Sequence, residues 1–490
     1  MENIWQIIKT SIDFFLDHLI IWNLLFAFII VFFQRRDPKS VWAWLLLLYF
    51  VPVLGFVFYL LLGQDMRKRK MFKMKELEDH LNEAIRQQEH QLKTTEFEKL
   101  DERIKGYTDL IMYNLETSDA MMSNDNDVDI IVDGVEKFRT LAEDLKKAEH
   151  FIHIQYYIIK NDVLFQQIKD ILIEKAAQGV EVRVLFDAMG CRSVNHRFWK
   201  KLNKQGIMTA EFFPAILRRL QLRINYRNHR KIVVIDNKVA YVGGFNIGKE
   251  YVDLDDKFGH WRDTHLRISG SAVLGLQLRF ILDWNYAARE NLLQNPKLLE
   301  GVVPGKRDFC EMQIISSGPD NTAQQIRDNY MRLITKAKRS IYIQTPYFIP
   351  DESILNALMV AVRSGIEVNI MIPCKPDHMF VYWATYSYIG DMVMAGANCY
   401  TYNNGFLHSK GIIVDSKVFC YGTANMDIRS FALNFEVNAV VYDPEKAQEM
   451  ERLFQEDLKV CRHITKDYYA ERPLLIRIKE QICRLMSPLL

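Results

Sequence analysis

The 490-residue chain has no excess charge of either sign: 63 lysines and arginines stand against 61 aspartates and glutamates, for a formal net charge of +2. It therefore lacks the global field that gathers a polyanion, nucleic acid is not expected as a partner, and any basic surface must be local. Its seven cysteines (Cys191, Cys310, Cys374, Cys399, Cys420, Cys461 and Cys483) are odd in number, scattered and free of CxxC spacing. That disfavours a disulfide framework and a structural zinc site, and fits a reducing compartment. Neither a P-loop nor a metal-binding motif occurs. Apolar residues are plentiful, at 49%, and at this length they bury more than one core.

Two long apolar runs open the chain. Residues 14–33 are interrupted only by Asp17, His18 and Asn23, and residues 41–62 carry no charge. Each is long enough to cross a hydrocarbon core of about 30 Å at about 1.5 Å per residue. The link QRRDPKS at 34–40 suits a helical hairpin, with Asp37 and Pro38 starting the second helix. A cleaved signal peptide is the plainer reading of the first run; its length, the lack of a small-residue cleavage site and the second run oppose it. Pro52 and Gly55 leave a kinked or re-entrant second segment open. Lys9 before the runs and Arg67, Lys68, Arg69, Lys70, Lys73 and Lys75 after them outnumber Arg35, Arg36 and Lys39 between them. The expectation is a multi-pass protein of the cell membrane with its large C-terminal part in the cytoplasm. The basic cluster also suits anionic headgroups, although an ordinary solvated charge run explains it equally well.

Four segments are expected. Residues 1–65 form the membrane hairpin, and residues 66–124, polar and rich in Glu, Lys and Gln, form a helical connector. From Asp125 onward β-branched runs alternate with amphipathic stretches, an α/β pattern with a largely parallel central sheet. That pattern occurs twice: SIYIQTPYFIP at Ser340 answers HFIHIQYYIIK at His150, and GIEVNIMIP at Gly365 answers GVEVRVLFD at Gly179, always in the same order. The period is domain-sized rather than solenoid-sized. Two similar halves, 125–303 and 304–490, are predicted, with the boundary near GVVPGK at 301–306.

Each half carries one copy of a single frame, NHRKIVVIDNKVAYVGGFN at 228–246 and LHSKGIIVDSKVFCYGTAN at 407–425. On an extended strand residues two apart share a face, so His229 points with Lys231 and His408 with Lys410. Two imidazoles and two ammonium groups at one phosphate suit phosphodiester chemistry: lysines neutralise non-bridging oxygens, one imidazole attacks phosphorus and the other protonates the leaving alkoxide. The aspartates complete the signature but differ in parity. Asp236 lies about 23 Å beyond His229 on a straight strand of about 3.3 Å per residue, so Asp236 and Asp415 read as turn residues. A hairpin centred on Asn237 and Lys238 would pair Asp236 with Val239 and set Asn246 opposite His229; its counterpart would set Asn425 opposite His408. Asn246 and Asn425 are thus candidate phosphate donors, and Gly243, Gly244 and Gly422 permit close backbone approach.

The double HxK(x)4D signature resembles that of the phospholipase D superfamily. Within it the similarity is greatest to the bacterial cardiolipin synthase family, and it extends over essentially the whole chain: the hairpin with RRDP, WRDTH at 261–265, QTPYFIPD at 344–351 and HSKGIIVDSKVFCYGTANMDIRSFALNFE from His408. The resemblance implies two phospholipase D-like domains related by pseudo-twofold symmetry, with His229, Lys231, Asp236, His408, Lys410 and Asp415 as the catalytic signature. It further implies a phosphohistidine intermediate with no metal or cofactor, and a carboxylate that orients each histidine. By position those carboxylates are Glu436, eleven residues past Asn425, and Asp263, seventeen past Asn246. The reaction implied joins two phosphatidylglycerol molecules, with His229 as nucleophile and His408 as acid and then base; the pseudo-symmetry permits the reverse.

Three further stretches are candidates for lipid contact. Residues 212–226 (FFPAILRRLQLRINY) mix aromatics with arginines, as an interfacial segment or a core strand would. Leu475, Ile478, Ile482, Leu485 and Leu489 share one helical face beside Arg477, Lys479 and Arg484, for lipid or for packing. MFVYWATYSYI at 379–389 suits an acyl groove or helix core. His153, His260, His265 and His378 are assigned no role. A hydrolase of the same fold and an inactive membrane scaffold are the alternatives; a scaffold would be expected to have lost a His or Lys. Whether phosphatidylethanolamine serves as donor, and the oligomeric state, are not legible.

Overall fold

The computed structural model describes residues 6, 14, 18–32, 38–55, 59, 105–214, 226–305, 310–321 and 323–487. It divides into two compact units, Met1–Arg69 with Ala215–Tyr226, and Lys70–Pro214 with Arg227–Leu490.

In the first unit two helices, Leu19–Phe32 and Pro38–Phe50, lie against one another. Ile30, Leu48 and Tyr59 are buried between them, and Asn23 Nδ2 donates to the carbonyls of Leu48 (3.2 Å) and Pro52 (3.4 Å). Most of the remaining apolar surface faces outward, including Ile20, Leu24, Phe28, Phe32, Trp42, Tyr49 and Phe50. Among the described residues no helix is long and apolar enough to cross a membrane. The second helix ends short of the expected run because Pro52 has no N–H to continue it. Helical backbone resumes at residues 52–55 beyond a break at Val51, and Gly55 approaches the first part so closely that a Cβ there would lie 2.7 Å from the carbonyl oxygen of Leu47. Most of the link at 34–40, the basic cluster at 67–75, the connector as far as residue 104 and positions 215–225 lie outside the described residues.

The second unit holds both halves. The first contributes β1 (Asp127–Ile131), β2 (Phe151–Tyr156), β3 (Glu181–Asp187), β4 (Ile207–Phe212), β5 (Ile232–Ile235), β6 (Val239–Gly243) and β7 (His265–Ser269), in the spatial order β1-β7-β6-β5-β2-β3-β4. The second contributes β8 (Met312–Ser317), β9 (Ser340–Gln344), β10 (Glu367–Pro373), β11 (Asn398–Tyr402), β12 (Gly411–Val414), β13 (Val418–Gly422), β14 (Asn434–Val441) and β15 (Cys461–His463), in the order β8-β14-β13-β12-β9-β10-β11-β15. Strand for strand the two orders agree; the second sheet carries an extra strand at each edge, β15 at one and the short strand Met122–Ser123, paired with β8, at the other. The sheets are mixed rather than largely parallel: only β2-β3-β4 and β9-β10-β11 run parallel, and the other neighbours in these orders are antiparallel. The duplicated motif is the cause, because it folds as the hairpins β5–β6 and β12–β13, which antiparallel pairing with β2 and β9 carries into the sheet centre.

The last part of the expected connector is not a spacer. Helix Thr108–Ser118 puts Leu110, Ile111 and Leu115 into the core of the second half with Tyr330, Leu333 and Val440, and Asn114 Nδ2 donates to Gln313 Oε1 at 3.1 Å. Residues 379–389 open a helix, Met379–Ala395, whose Ala384, Tyr386 and Ile389 are core.

The motif hairpins turn in the left-handed region, with φ of 52° and 53° at Asp236 and Asn237 and 55° and 56° at Asp415 and Ser416. Ile235 pairs with Val239, and Val414 with Val418, one residue out of the expected register in both copies. The aspartates cause the shift: each leaves the ladder and turns its carboxylate to the backbone that starts the neighbouring strand. Asp236 accepts from the N–H groups of Glu149, His150 and Phe151 at 2.7–2.9 Å, and Asp415 from those of Lys338, Arg339 and Ser340 at 2.7–3.1 Å. Asp415→Ala is expected to destabilise the fold by about 2–3 kcal/mol through unpaired backbone donors, read as a lower Tm. Turnover per folded molecule should stay within about twofold, as for a substitution remote from the reacting groups.

Candidate active site

Each motif histidine is held by the half to which it does not belong. Strand Arg227–Asn228 runs parallel to the start of β14, so that the His229 N–H donates to Phe435 O at 2.9 Å. The next residue of β14, Glu436, accepts from His229 Nδ1 at 2.9 and 3.0 Å. Reciprocally, strand Phe406–Leu407 runs parallel to Trp261–Arg262, the His408 N–H donates to Arg262 O at 2.7 Å, and Asp263 Oδ2 accepts from His408 Nδ1 at 2.6 Å. A carboxylate at Nδ1 fixes the tautomer and leaves Nε2 as the nitrogen with a free lone pair.

The unequal sequence separations of Glu436 and Asp263 have a simple origin. Gly243 pairs with His265, and Gly422 with Asn438; Asp263 and Glu436 each lie two residues before those partners and are structurally equivalent. The first half is longer between Asn246 and Asp263, where it includes the short 3-10 helix Lys249–Val252.

Both carboxylates are fully buried and fully engaged. Glu436 also accepts from Thr423 Oγ1 (2.6 Å) and Asn434 Nδ2 (3.1 Å), and Asp263 from the Thr264 N–H (2.7 Å). Burial works against the Asp263 anion, but Lys410 and His408 outweigh it and hold its carboxyl below the usual range. Gly244 is required beside it, since a Cβ there would lie 2.0 Å from Asp263 Oδ1.

Lys231 and Lys410 are buried, and each donates to the carbonyl of its own histidine, at 2.6 Å for Lys231. Burial lowers both ammonium groups, Lys410 to about 8 and Lys231 well below its ordinary value. Burial likewise lowers the imidazoles, against Glu436 at His229, and with Lys410 adding to it at His408, which falls to about 4. The copies sense one another, because Lys410 contributes at His229 and Lys231 at His408. Two imidazoles and two lysines gathered in one buried site are suited to receive one phosphodiester anion, whose negative charge favours the ammonium form that burial disfavours.

Asp236 and Asp415, counted with the catalytic signature, are not part of this cluster; they belong to the turns described above. The shifted register also removes the expected pairing of Asn246 with His229 and of Asn425 with His408. Asn246 instead accepts from the Ile158 N–H (3.1 Å) and donates to Tyr251 Oη (2.9 Å), whereas Asn425 Oδ1 is buried without a hydrogen-bond partner.

The fold brings to the site several residues to which the sequence assigns no individual role. Tyr157 meets the His229 ring edge-on at 4.9 Å, and Trp261 lies 5.1 Å from the His408 ring. Arg230 pairs with Asp283 at 2.6 Å and also donates to Glu436 O (3.2 Å) and Ser317 O (3.1 Å). Arg262 pairs with Asp457 at 2.8 Å and donates to Asp263 O at 2.5 Å. Arg230 and Arg262 adjoin flagged residues in the chain, but only the fold brings their acids from distant helices.

A matched pair of α/β halves that exchange carboxylates across two His-Lys motifs defines a two-copy phospholipase D-type protein. The family model described as cardiolipin synthase, PLD-like domain, matches residues 141–259 and 330–458, and a phospholipase D-nuclease N-terminal model matches residues 21–64. The chain is 49% identical over 471 residues, 96% of its length and 97% of the relative's, to the major cardiolipin synthase ClsA of Bacillus subtilis. It is 46% identical, over 96% of its length and 97% of the relative's, to a cardiolipin synthase of Oceanobacillus iheyensis. Among solved structures, a phosphatidylserine synthase of Haemophilus influenzae shares the fold at a TM-score of 0.60 and 13% identity, covering 80% of this chain and 100% of that one. The chain belongs to the cardiolipin synthase family of phospholipase D-like proteins.

Glu436→Gln and Asp263→Asn keep the side-chain volume but present an amide to Nδ1. Each is expected to lower kcat by roughly 100- to 10,000-fold, the scale set by the wrong imidazole tautomer, with far-UV circular dichroism unchanged. A KM effect without loss of kcat would argue against orientation of the ring.

Proposed function

We propose that this protein is a phosphatidyltransferase that makes cardiolipin and glycerol from two molecules of phosphatidylglycerol. The observation that carries the reading is the crossed pair of His–carboxylate contacts beside two buried lysines, in a chain similar over nearly its whole length to relatives named cardiolipin synthase.

His229 Nε2 attacks the phosphorus of the first phosphatidylglycerol. The P–O bond to the free glycerol breaks, and His408, protonated at Nε2 once the anion is bound, gives its proton to the departing alkoxide. A phosphatidyl-histidine remains. The terminal hydroxyl of the second phosphatidylglycerol then loses its proton to His408 and attacks phosphorus; the P–N bond breaks and cardiolipin leaves. Lys231 and Lys410 balance the non-bridging oxygens throughout, Glu436 and Asp263 stabilise whichever ring is cationic, and the buried amide of Asn425 is the candidate N–H donor to the phosphate. One diester is exchanged for another, so the reaction needs no external energy source.

The N-terminal hairpin anchors the enzyme in the membrane. Its support is the outward apolar surface of two helices joined by a short link, together with the match of residues 21–64 to the family's N-terminal model. With the hairpin in place, the excess of Lys and Arg on the side holding the chain termini favours cytoplasmic catalytic halves. The domain limits 1–65, 66–124, 125–303 and 304–490 stand as part of this reading, the helix at 108–118 being assigned to the second half's core.

Membranes containing phosphatidylglycerol and purified protein should yield cardiolipin and glycerol in equal amounts. A predominance of phosphatidic acid would make the enzyme a hydrolase. His229→Ala and His408→Ala should each abolish net synthesis. The pH profile follows from the shifted groups. The His229 nucleophile, its imidazole lowered from the ordinary value by burial, is protonated at lower pH than a free imidazole, so the acid limb of kcat/KM lies below pH 6.5. The Lys410 ammonium, lowered to about 8, loses its charge above that pH, so activity falls on the basic side. Lys410→Arg should push the basic limb upward at reduced kcat, because a guanidinium remains charged.

A further inference from the structure

Helix Leu474–Leu485 is built the wrong way round for a protein surface in water. Its inward side is Ile476, Glu480, Cys483 and Ser487, at helical spacing, of which Glu480 is fully buried. The Glu480 carboxylate is satisfied by Arg472 (2.8 Å) and Tyr469 Oη (3.3 Å). Cys483 packs on Ile349 and Ala384, and Ser487 meets Tyr388 Oη at 3.2 Å. The apolar arc points away from the protein: Leu474, Leu475, Ile478, Ile482 and Leu485 are 71%, 63%, 46%, 54% and 84% exposed. A helix that buries its carboxylate and exposes its leucines has an apolar partner elsewhere.

The surroundings say what that partner is. The helix lies along Met379–Ala395 in the same direction, with Lys479 Nζ 5.6 Å from the Trp383 ring and Arg484 paired with Asp391. Its first residues therefore sit at the end where Met379 and Phe380 are also exposed, at 54% and 57%. That end is the active-site end: Asp377, just before it, bonds Tyr347 and acts electrostatically on Lys410. Lys479 and Arg477 flank the apolar arc, where long cationic side chains reach phosphate groups while their stems stay among hydrocarbon.

We propose that this helix, with Met379 and Phe380, is a monotopic docking face that lies in the headgroup region of an anionic bilayer and brings the site mouth to the lipid. The inference rests on the phosphatidyltransferase reading for its choice of lipid as partner, and on the inverted helix for the face itself.

The test uses the full-length protein in vesicles of phosphatidylglycerol and phosphatidylethanolamine, with a fluorescent amino acid incorporated at Ile482. Nitroxide-labelled lipid should quench the probe and aqueous iodide should not. Quenching by iodide alone overturns the proposal, and shielding from both quenchers overturns it in favour of a second copy of the chain. Independently, Ile478→Glu combined with Ile482→Glu alters only exposed positions. It is expected to lower activity on vesicles about tenfold, as for loss of interfacial binding, while turnover of monomeric short-chain phosphatidylglycerol is kept. Equal loss on both substrates, or on neither, counts against the docking role. If the unaltered protein makes no cardiolipin, the functional reading fails while the quenching experiment still decides the docking face.

Discussion

Everything at the centre of this protein depends on a hydrogen bond that crosses from one half to the other. A neutral imidazole has two inequivalent nitrogens, and which one keeps its lone pair is decided by the partner of the other. Here each partner is a carboxylate from the opposite half, one residue past the carbonyl that accepts from the histidine's own N–H. The two contacts act together: the parallel strand pairing sets the height of the ring, and the carboxylate sets its rotation and tautomer. A small change in the packing of the halves would disturb both.

Such a contact needs rigid support because a buried carboxylate that moves is a buried charge without compensation. The support is ionic and again comes in pairs. Arg230 ties Glu436's carbonyl to Asp283 on helix Val273–Ala288, and Arg262 ties Asp263's carbonyl to Asp457 on helix Pro444–Leu458. Breaking one member of a buried pair costs about 3–5 kcal/mol, so these arginines resist drift in the residues that face the histidines. The lysines are depressed by the same burial that makes their charge effective: little water remains to screen them, and an arriving phosphate supplies the counter-charge.

How much of this was legible follows the range of the interactions. Parity along a strand placed His229 with Lys231 and His408 with Lys410 and removed the aspartates from the reacting face, because side-chain direction in a strand is a local property. The hairpin register was missed by one residue, since Asp236 and Asp415 turn toward backbone donors some 85 and 75 positions earlier in the chain, a tie no local turn rule contains. Glu436 and Asp263 were reachable through resemblance, but their crossing between halves was not, as pairing across a pseudo-dyad leaves no spacing signal. Helix Thr108–Ser118 reads as connector because Leu110, Ile111 and Leu115 stand in a stretch that is polar overall. Strand–helix alternation outside the motif suggests a largely parallel sheet, whereas the motif itself folds as antiparallel hairpins.

A duplicated gene ordinarily leaves a spare, free to decay or to take on new work. The crossed carboxylates deny that freedom here. A change that cripples Glu436 in the second copy strikes the histidine of the first, and one at Asp263 strikes the histidine of the second, so neither copy can be inherited as a passenger. The six extra residues between Asn246 and Asp263 show where divergence was still tolerated: in a loop whose ends are fixed and whose length the exchange of acids does not feel.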